Sequence, residues 1–308
     1  MRVLFAGSPE VALPSLRILV AGPHEVVGVL TRPDARAGRG RGLRQSPVAA
    51  AAVDAGLRVL RPERVGEPDA LAEIVGLAPD CAVVVAYGAL LPHRVLDAVP
   101  GGWVNLHFSL LPRWRGAAPV QHAVFAGDAT TGVTTFRIVR ELDAGPVYES
   151  VPSHLGSHQT AGDVLTRLAE LGTGVLTRTL DRVAAGEEPS PQPGEGVTLA
   201  PKVTVAAAQV DWGLDAATVD RRIRGCTPTP GAWTTFRGQR VKLGPVVRST
   251  TGLEPGELSV GAAPARVEVG TGDGAVTLST VQPAGRPATE AAAWARGARA
   301  TAGERFGA

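Results

Sequence analysis

Residues 80–87 read DCAVVVAY, and from Cys81 to Ala86 every side chain is apolar. A strand with one wet face alternates apolar and polar residues. An unbroken apolar run belongs instead to a strand covered on both faces, as in a parallel sheet. Outward from it lie partners of the same kind. Val3–Ala6 is a short apolar run closed by Gly7-Ser8-Pro9, and Glu25–Thr31 is a β-branched run. Val11–Val20, Pro47–Leu57 and Pro68–Leu77 have helical spacing. Further on, Trp103–His107 and Gly132–Val139 read as strands. Ala161–Ala184 reads as a helix whose stripe of Leu165, Leu168, Leu171, Val175 and Leu176 is plain core. Strands separated by helices predict an α/β class with a Rossmann-like, doubly wound, mostly parallel sheet.

The pattern then changes. Gly186–Pro201 holds four prolines among Gly and Glu, the composition of a linker. Past it, Leu214–Gly225 looks helical. Short runs follow at Trp233–Phe236, Gln239–Leu243, Ala265–Val269 and Ala275–Thr280, the last two joined by Thr271-Gly272-Asp273-Gly274 as a hairpin loop. The expectation is a larger domain over 1–188, a linker over 189–207, and a small β-barrel C-terminal domain over 208–308.

Bulk composition narrows the function. The 308 residues are 44% hydrophobic, without an apolar stretch near the ~20 residues a bilayer needs. The opening MRVLFAGSPE turns polar at once and reads as a first strand, not a secretion signal. Cys81 and Cys226 stand far apart with no metal spacing, which argues against a disulfide framework and for a reducing cytoplasm. Net charge is only +2, and 29 of the 31 basic residues are arginine, so a lone Arg carries little information. A P-loop and the GxGxxG fingerprint are both lacking, so neither ATP nor NAD use is supported. His24, His93, His122, His154 and His158 fit no ligand cluster, and no metal is expected.

The chemistry-bearing stretch is 103–119, WVNLHFSLLPRWRGAAP. Residues two apart on a strand share a face, so Asn105 and His107 project side by side at the strand's C-terminal end, where open α/β sheets place ligands. Asp143, in the LDAGP turn after the next strand, is positioned to reach His107. The three suit acyl transfer to an amine. An imidazole accepts a proton near neutrality, a carboxylate orients the ring, and an amide N–H stabilises an oxyanion. Either His107 or Asp143 moves the proton, directly or through water.

NLHFSLLPRWRGAAP closely resembles the signature of the methionyl-tRNA formyltransferases. FAGSPEVALPSL, VVGVLTRPDARAGRGRGL and VVVAYGALLP extend the resemblance over the N-terminal half, and it weakens only in roughly the last 60 residues. It implies a Rossmann-like formyltransferase domain followed by an OB-like barrel, with Asn105, His107 and Asp143 as the catalytic set. It places Ser109, Leu110, Leu111 and Pro112, with Tyr87 and Gly88, around the folate. The implied reaction moves the formyl group of 10-formyltetrahydrofolate to initiator methionyl-tRNA, without a metal. Two positions depart from the family: Phe108 and Glu141 stand where it commonly has glycine. Phe108 must turn away from the site or it narrows the pocket, and Glu141 is strained if that position needs a positive φ.

Arg32–Arg44, RPDARAGRGRGLR, carries five arginines and is too Gly-rich for a helix. The resemblance assigns this loop to the tRNA acceptor arm, with Arg39 as its key arginine, Arg41 keeping the charge nearby, and Lys202 as a further tRNA contact. Arg221, Arg222, Arg224, Arg237 and Arg240 make the start of the second domain basic. Arg113 and Arg115 flank Trp114 in a mainly structural role. Two other functions compete. One is formyl transfer to a small amine, opposed by the basic loop and the second domain. The other is a nucleic-acid-binding protein on a decayed enzyme fold, opposed by the retained Asn, His and Asp. Nothing in the sequence demands a dimer, so a monomer is expected.

Overall fold

The apolar runs at 3–6, 25–31 and 81–86 become neighbouring strands of one sheet. A computed structural model describes residues 1–37, 42–262 and 265–307. Its first strands and helices are β1 (Arg2–Gly7), α1 (Leu13–Ala21), β2 (Glu25–Leu30), a short pair β3 (Ala35–Ala37) and β4 (Gly42–Arg44), α2 (Pro47–Asp54), β5 (Val59–Leu60), α3 (Pro68–Gly76), β6 (Cys81–Val85), α4 (His93–Leu96) and β7 (Trp103–His107). Then come α5 (Pro119–Ala126), β8 (Thr130–Arg137), β9 (Val147–His154) and α6 (Ala161–Ala184). The main sheet has seven strands in the order β5-β2-β1-β6-β7-β8-β9. β5, β2, β1, β6 and β7 run parallel, as expected, and β6 is buried along its whole length. The last two pairings are antiparallel.

Both faces are covered. Leu4, Ala6, Ala82, Val84 and Trp103 join Ile74 of α3 and Val95 of α4 in one cluster. On the other face α6 lies so close that a Cβ on Gly172 would come within 2.6 Å of Leu106 Cδ2. A hydroxyl contact of 2.6 Å between Thr135 and Thr179 ties α6 to β8.

The antiparallel turn of β8 changes how Asp143 is delivered. His107 lies opposite Thr134 and Val104 opposite Arg137, so β8 ends beside the start of β7, not beside His107. The Ile138 amide bonds the Trp103 carbonyl there at 2.7 Å. Residues 138–146 must then run back along the sheet to bring Asp143 to the level of His107. A strand-end carboxylate was expected; a returning loop supplies it.

The chain divides into two units. One is Met1–Gly116, Thr130–His154 and Leu165–Leu199; the other is Ala117–Ala129, Leu155–Val164 and Ala200–Ala308. The stretch that reads as linker is therefore shared between them. Its first part is bonded into the first unit. Ser190 and Val147 exchange two backbone bonds (2.7 and 2.9 Å), and the Arg115 amide bonds the Thr198 carbonyl (2.9 Å).

The second unit holds α5, then α7 (Ala216–Cys226), β10 (Trp233–Phe236), β11 (Gln239–Leu243), β12 (Val246–Ser249), β13 (Leu258–Ala262), β14 (Ala265–Gly270), β15 (Ala275–Leu278), β16 (Thr280–Pro283), β17 (Thr289–Glu290) and α8 (Ala291–Ala298). Its β-rich character takes the form of two four-stranded antiparallel sheets, β10-β11-β16-β17 and β12-β15-β14-β13. Trp212, Phe236, Trp294 and Phe306 interlock in its core with ring centroids 5.1–5.8 Å apart. Among the described residues, no helix is long and apolar enough to cross a membrane.

Candidate active site

Strand alternation puts Trp103, Asn105 and His107 on one face of β7. Trp103 is sealed in the core, Asn105 is half-buried near the strand's end, and His107 is 6% exposed. Beyond His107 the chain forms a tight loop. Buried Ser109 donates to the Arg113 carbonyl at 2.6 Å, and Thr134 of β8 donates to the Ser109 carbonyl at 2.7 Å. Trp114 is left-handed (φ 63°), a conformation a bulky residue adopts at a cost of about 1 kcal/mol. Two contacts hold it there. Its amide donates to Thr198 Oγ1 at 2.8 Å, and its carbonyl meets His107 Nε2 at 2.9 Å.

That last contact sets the tautomer. A carbonyl oxygen only accepts, so in the neutral ring the proton sits on Nε2 and the lone pair on Nδ1. Nδ1 faces Asp143 Oδ2 across 3.8 Å. Two acceptors thus lie 3.8 Å apart, close enough for one group bearing two N–H or O–H bonds, an amine or a water, to donate to both from beside them. The same Oδ2 accepts from the Gly116 amide at 2.7 Å. Burial pushes the His107 pKa down, against the opposing pull of Asp143 and the Trp114 carbonyl. Burial therefore favours the neutral ring, whose Nδ1 lone pair can accept a proton. Among the described residues the Asn105 amide has no partner and remains available to a ligand.

His107 and Asp143 are thus brought together, with Asn105 beside His107 on the strand. The positive φ belongs to Asp143 (49°), a residue type that tolerates it; Glu141 is not left-handed and escapes the strain considered above. Phe108 is buried, 7% exposed, in the bend that directly follows β7. Ser109 spends its hydroxyl inside its own loop, with Leu110 half-buried, Leu111 buried and Pro112 half-buried after it. Tyr87 is buried and Gly88 is exposed with φ 84°, at the end of β6 beside β7. Among the described residues no cluster of His, Cys, Asp and Glu fits a metal ion.

The residues that sequence reasoning missed lie in the supposed linker. Gln192 donates through Nε2 to the carbonyls of Asp143 and Gly145, each at 2.8 Å, and accepts from Arg115 Nη2 at 2.6 Å. Thr198 holds Trp114, as above. A Pro- and Gly-rich stretch carries no periodicity that singles out either one.

Arg39 and Arg41 lie outside the described residues. The strands on either side of them in sequence are β3 and β4, paired from Ala35↔Arg44 to Ala37↔Gly42. Arg61, just after β5, bonds both flanks of this hairpin, Asp34 Oδ1 at 3.3 Å and Gln45 Oε1 at 2.8 Å. Lys202 is exposed. The five arginines of the second unit divide by role. Arg224 is buried against Asp220 (3.0 Å), Arg237 pairs with Glu304 (2.8 Å), and Arg221 bonds Thr218 (2.9 Å). Arg240 lies over the Trp233 ring (4.1 Å to the centroid) and Arg222 over Phe125 (4.6 Å). In the first unit Arg113 packs over Trp114 (4.5 Å).

Comparison with known proteins shows the family of the chain. Residues 1–180 match the family model "Formyl transferase" and residues 202–299 match "Formyl transferase, C-terminal domain". The methionyl-tRNA formyltransferase of Thermobifida fusca is 57% identical over 100% of this chain and 99% of its own. This chain belongs to the methionyl-tRNA formyltransferases. That of Streptomyces coelicolor is 56% identical, over the full length of both chains. Among solved structures, HypX from Aquifex aeolicus in complex with tetrahydrofolic acid matches with a TM-score of 0.66 at 20% identity. It covers 96% of this chain, which spans 47% of that one; this likeness concerns the fold alone. The two family models leave 181–201 between them, the stretch that supplies Gln192 and Thr198 to this formyltransferase.

Proposed function

We propose that this chain transfers the formyl group of 10-formyltetrahydrofolate to the α-amino group of methionine on initiator tRNA, giving N-formylmethionyl-tRNA for translation initiation. The observation that carries the chemistry is the pair of acceptors, His107 Nδ1 and Asp143 Oδ2, facing across 3.8 Å. An amine bonded to this pair gives up a proton to one of them as its nitrogen attacks the formyl carbon. The carbonyl oxygen becomes an oxyanion, and the Asn105 amide N–H is the donor for it. The tetrahedral intermediate collapses by breaking the bond to N10 of the folate, which takes up a proton as it leaves. His107, neutral because it is buried, is fit to receive and return that proton.

Folate is assigned to the surface formed by Ser109–Pro112 with Tyr87 and Gly88, where the backbone of Gly88 is exposed. The acceptor arm of tRNA is assigned to the hairpin carrying Arg39 and Arg41, to Lys202, and to the stacked cations Arg240 and Arg222 of the second unit. The reading includes a monomer at work in the cytoplasm, where translation starts.

Single-turnover assays with charged initiator tRNA, free methionine and amino-sugar nucleotides as alternative acceptors test the reading. Transfer to the tRNA alone is expected; preference for a small amine would overturn it. Asn105→Ala is expected to slow transfer by about 10²–10³-fold. His107→Ala and Asp143→Ala are expected to abolish transfer with tRNA affinity nearly unchanged. Wild-type rates in either would remove the role assigned.

A further inference from the structure

The stretch between the two family models carries one side chain whose hydrogen-bonding capacity is filled. Pairing of Ser190 with Val147 brings the connector alongside the chain just after Gly145. Two residues later, Gln192 turns its amide between two loops. A primary amide has two N–H bonds and an oxygen with two lone pairs. Both N–H bonds go to backbone carbonyls, those of Asp143 and Gly145 at 2.8 Å. The oxygen takes Arg115 Nε at 3.2 Å and Nη2 at 2.6 Å. The orientation is fixed, because a flipped amide would set oxygen against two carbonyls and N–H bonds against a guanidinium.

The two loops so joined are the ones that set the catalytic geometry. One carries Asp143 in a left-handed conformation (φ 49°) that an aspartate tolerates but does not seek. The other carries Trp114, whose carbonyl holds His107, and Gly116, whose amide holds the Asp143 carboxylate. Neither loop has regular secondary structure of its own between 138 and 146 or between 108 and 116. Their spacing therefore depends on cross-links, and Gln192 is the side chain that bonds to both.

We propose that Gln192 is a positioning residue for formyl transfer. It clamps the Asp143 loop to the Arg115–Gly116 loop, and so sets the separation between the Asp143 carboxylate and His107. This rests on the formyl-transfer reading above. Misplacing a catalytic group by an ångström costs on the order of 100-fold in rate without any loss of binding groups.

The test uses the full-length chain with Gln192→Glu, and Gln192→Asn as the milder change. The Glu variant keeps an oxygen for Arg115 but replaces both carbonyl-facing donors. Expected is a fall in kcat of about 10- to 100-fold for Gln192→Glu and a smaller fall for Gln192→Asn, with KM for tRNA and for the folate donor held within about twofold. A second readout does not depend on activity. Hydrogen exchange of the Gly116 amide reports whether the carboxylate is still in place, and its protection is expected to drop in step with kcat. Unchanged kcat in both variants overturns the proposal, as does a loss of kcat with Gly116 protection intact. If the wild-type chain fails to formylate tRNA, the functional reading fails instead, and Gly116 protection still decides whether Gln192 holds the carboxylate.

Discussion

The imidazole of His107 has one proton in its neutral form, and the Trp114 carbonyl fixes where it sits. What remains is how readily Nδ1 gains a second. Burial lowers its pKa from 6.5, while Asp143 and the Trp114 carbonyl pull upward, and burial prevails. The sign for function follows. With His107 as the proposed base, active above its folded pKa, kcat/KM is expected to stay flat through neutrality and fall on an acid limb that lies below 6.5. The sign for stability agrees. A histidine whose folded pKa is depressed stabilises the fold above its unfolded value, and that contribution is lost as pH drops below it. Asp143→Asn removes an upward pull, so the His107 titration followed by NMR should move to lower pH; a move upward would show that the carboxylate does not act on the ring. The pairing of Asn105 with His107 was legible from their spacing on a strand. The 3.8 Å approach of Asp143 was not, because it depends on a loop path that no local pattern encodes.

Among the elements, the parallel strands were the easiest to read, since each is an apolar run closed by a turn. β9 escaped notice. Its sequence VYESVPSH alternates with exposed polar residues and contains a proline, as an edge strand does. With β9 went the antiparallel reversal of β8, and so the returning path of 138–146. The β3–β4 hairpin offers a test at this scale. Arg61 bonds Asp34 just before it and Gln45 just after it, and a hydroxyl contact between Thr31 and Ser46 (2.7 Å) closes the base a second time. Arg61→Met should leave the fold and folate affinity unchanged. It should raise KM for tRNA by about fivefold, the worth of roughly 1 kcal/mol in a half-exposed ion pair. Faster trypsin cleavage at Arg44 should accompany it. An unaltered KM would mean that the hairpin's attachment does not matter to the acceptor.

For the molecule as a whole, the division into an α/β part and a β-rich part showed in the change of sequence rhythm near residue 200. The basic character of the second part was less informative than its arginine count suggested. Arg224 is 5% exposed, paired with Asp220 at 3.0 Å and donating to the Gln159 carbonyl at 3.0 Å. It is an internal strut, unavailable to nucleic acid. Arg224→Met strands the largely covered Asp220 carboxylate and should cost about 3 kcal/mol in chemical denaturation. Arg240→Met alters an exposed stack on Trp233, and should leave stability nearly unchanged while weakening tRNA binding. The reverse pattern would reassign both.

The bonding of residues 190–199 to the loops around His107 bears on how such proteins are cut and recombined. A chain ending at residue 188 would retain all seven strands of the main sheet and α6, yet lack Gln192 and Thr198. A chimera that exchanges C-terminal parts with a relative at 188 therefore takes from that relative the residues that bond the loops at 108–116 and 138–146. One joined after Leu199 keeps the native set. The natural seam of this enzyme lies past the last visible element, within what looks like spacer.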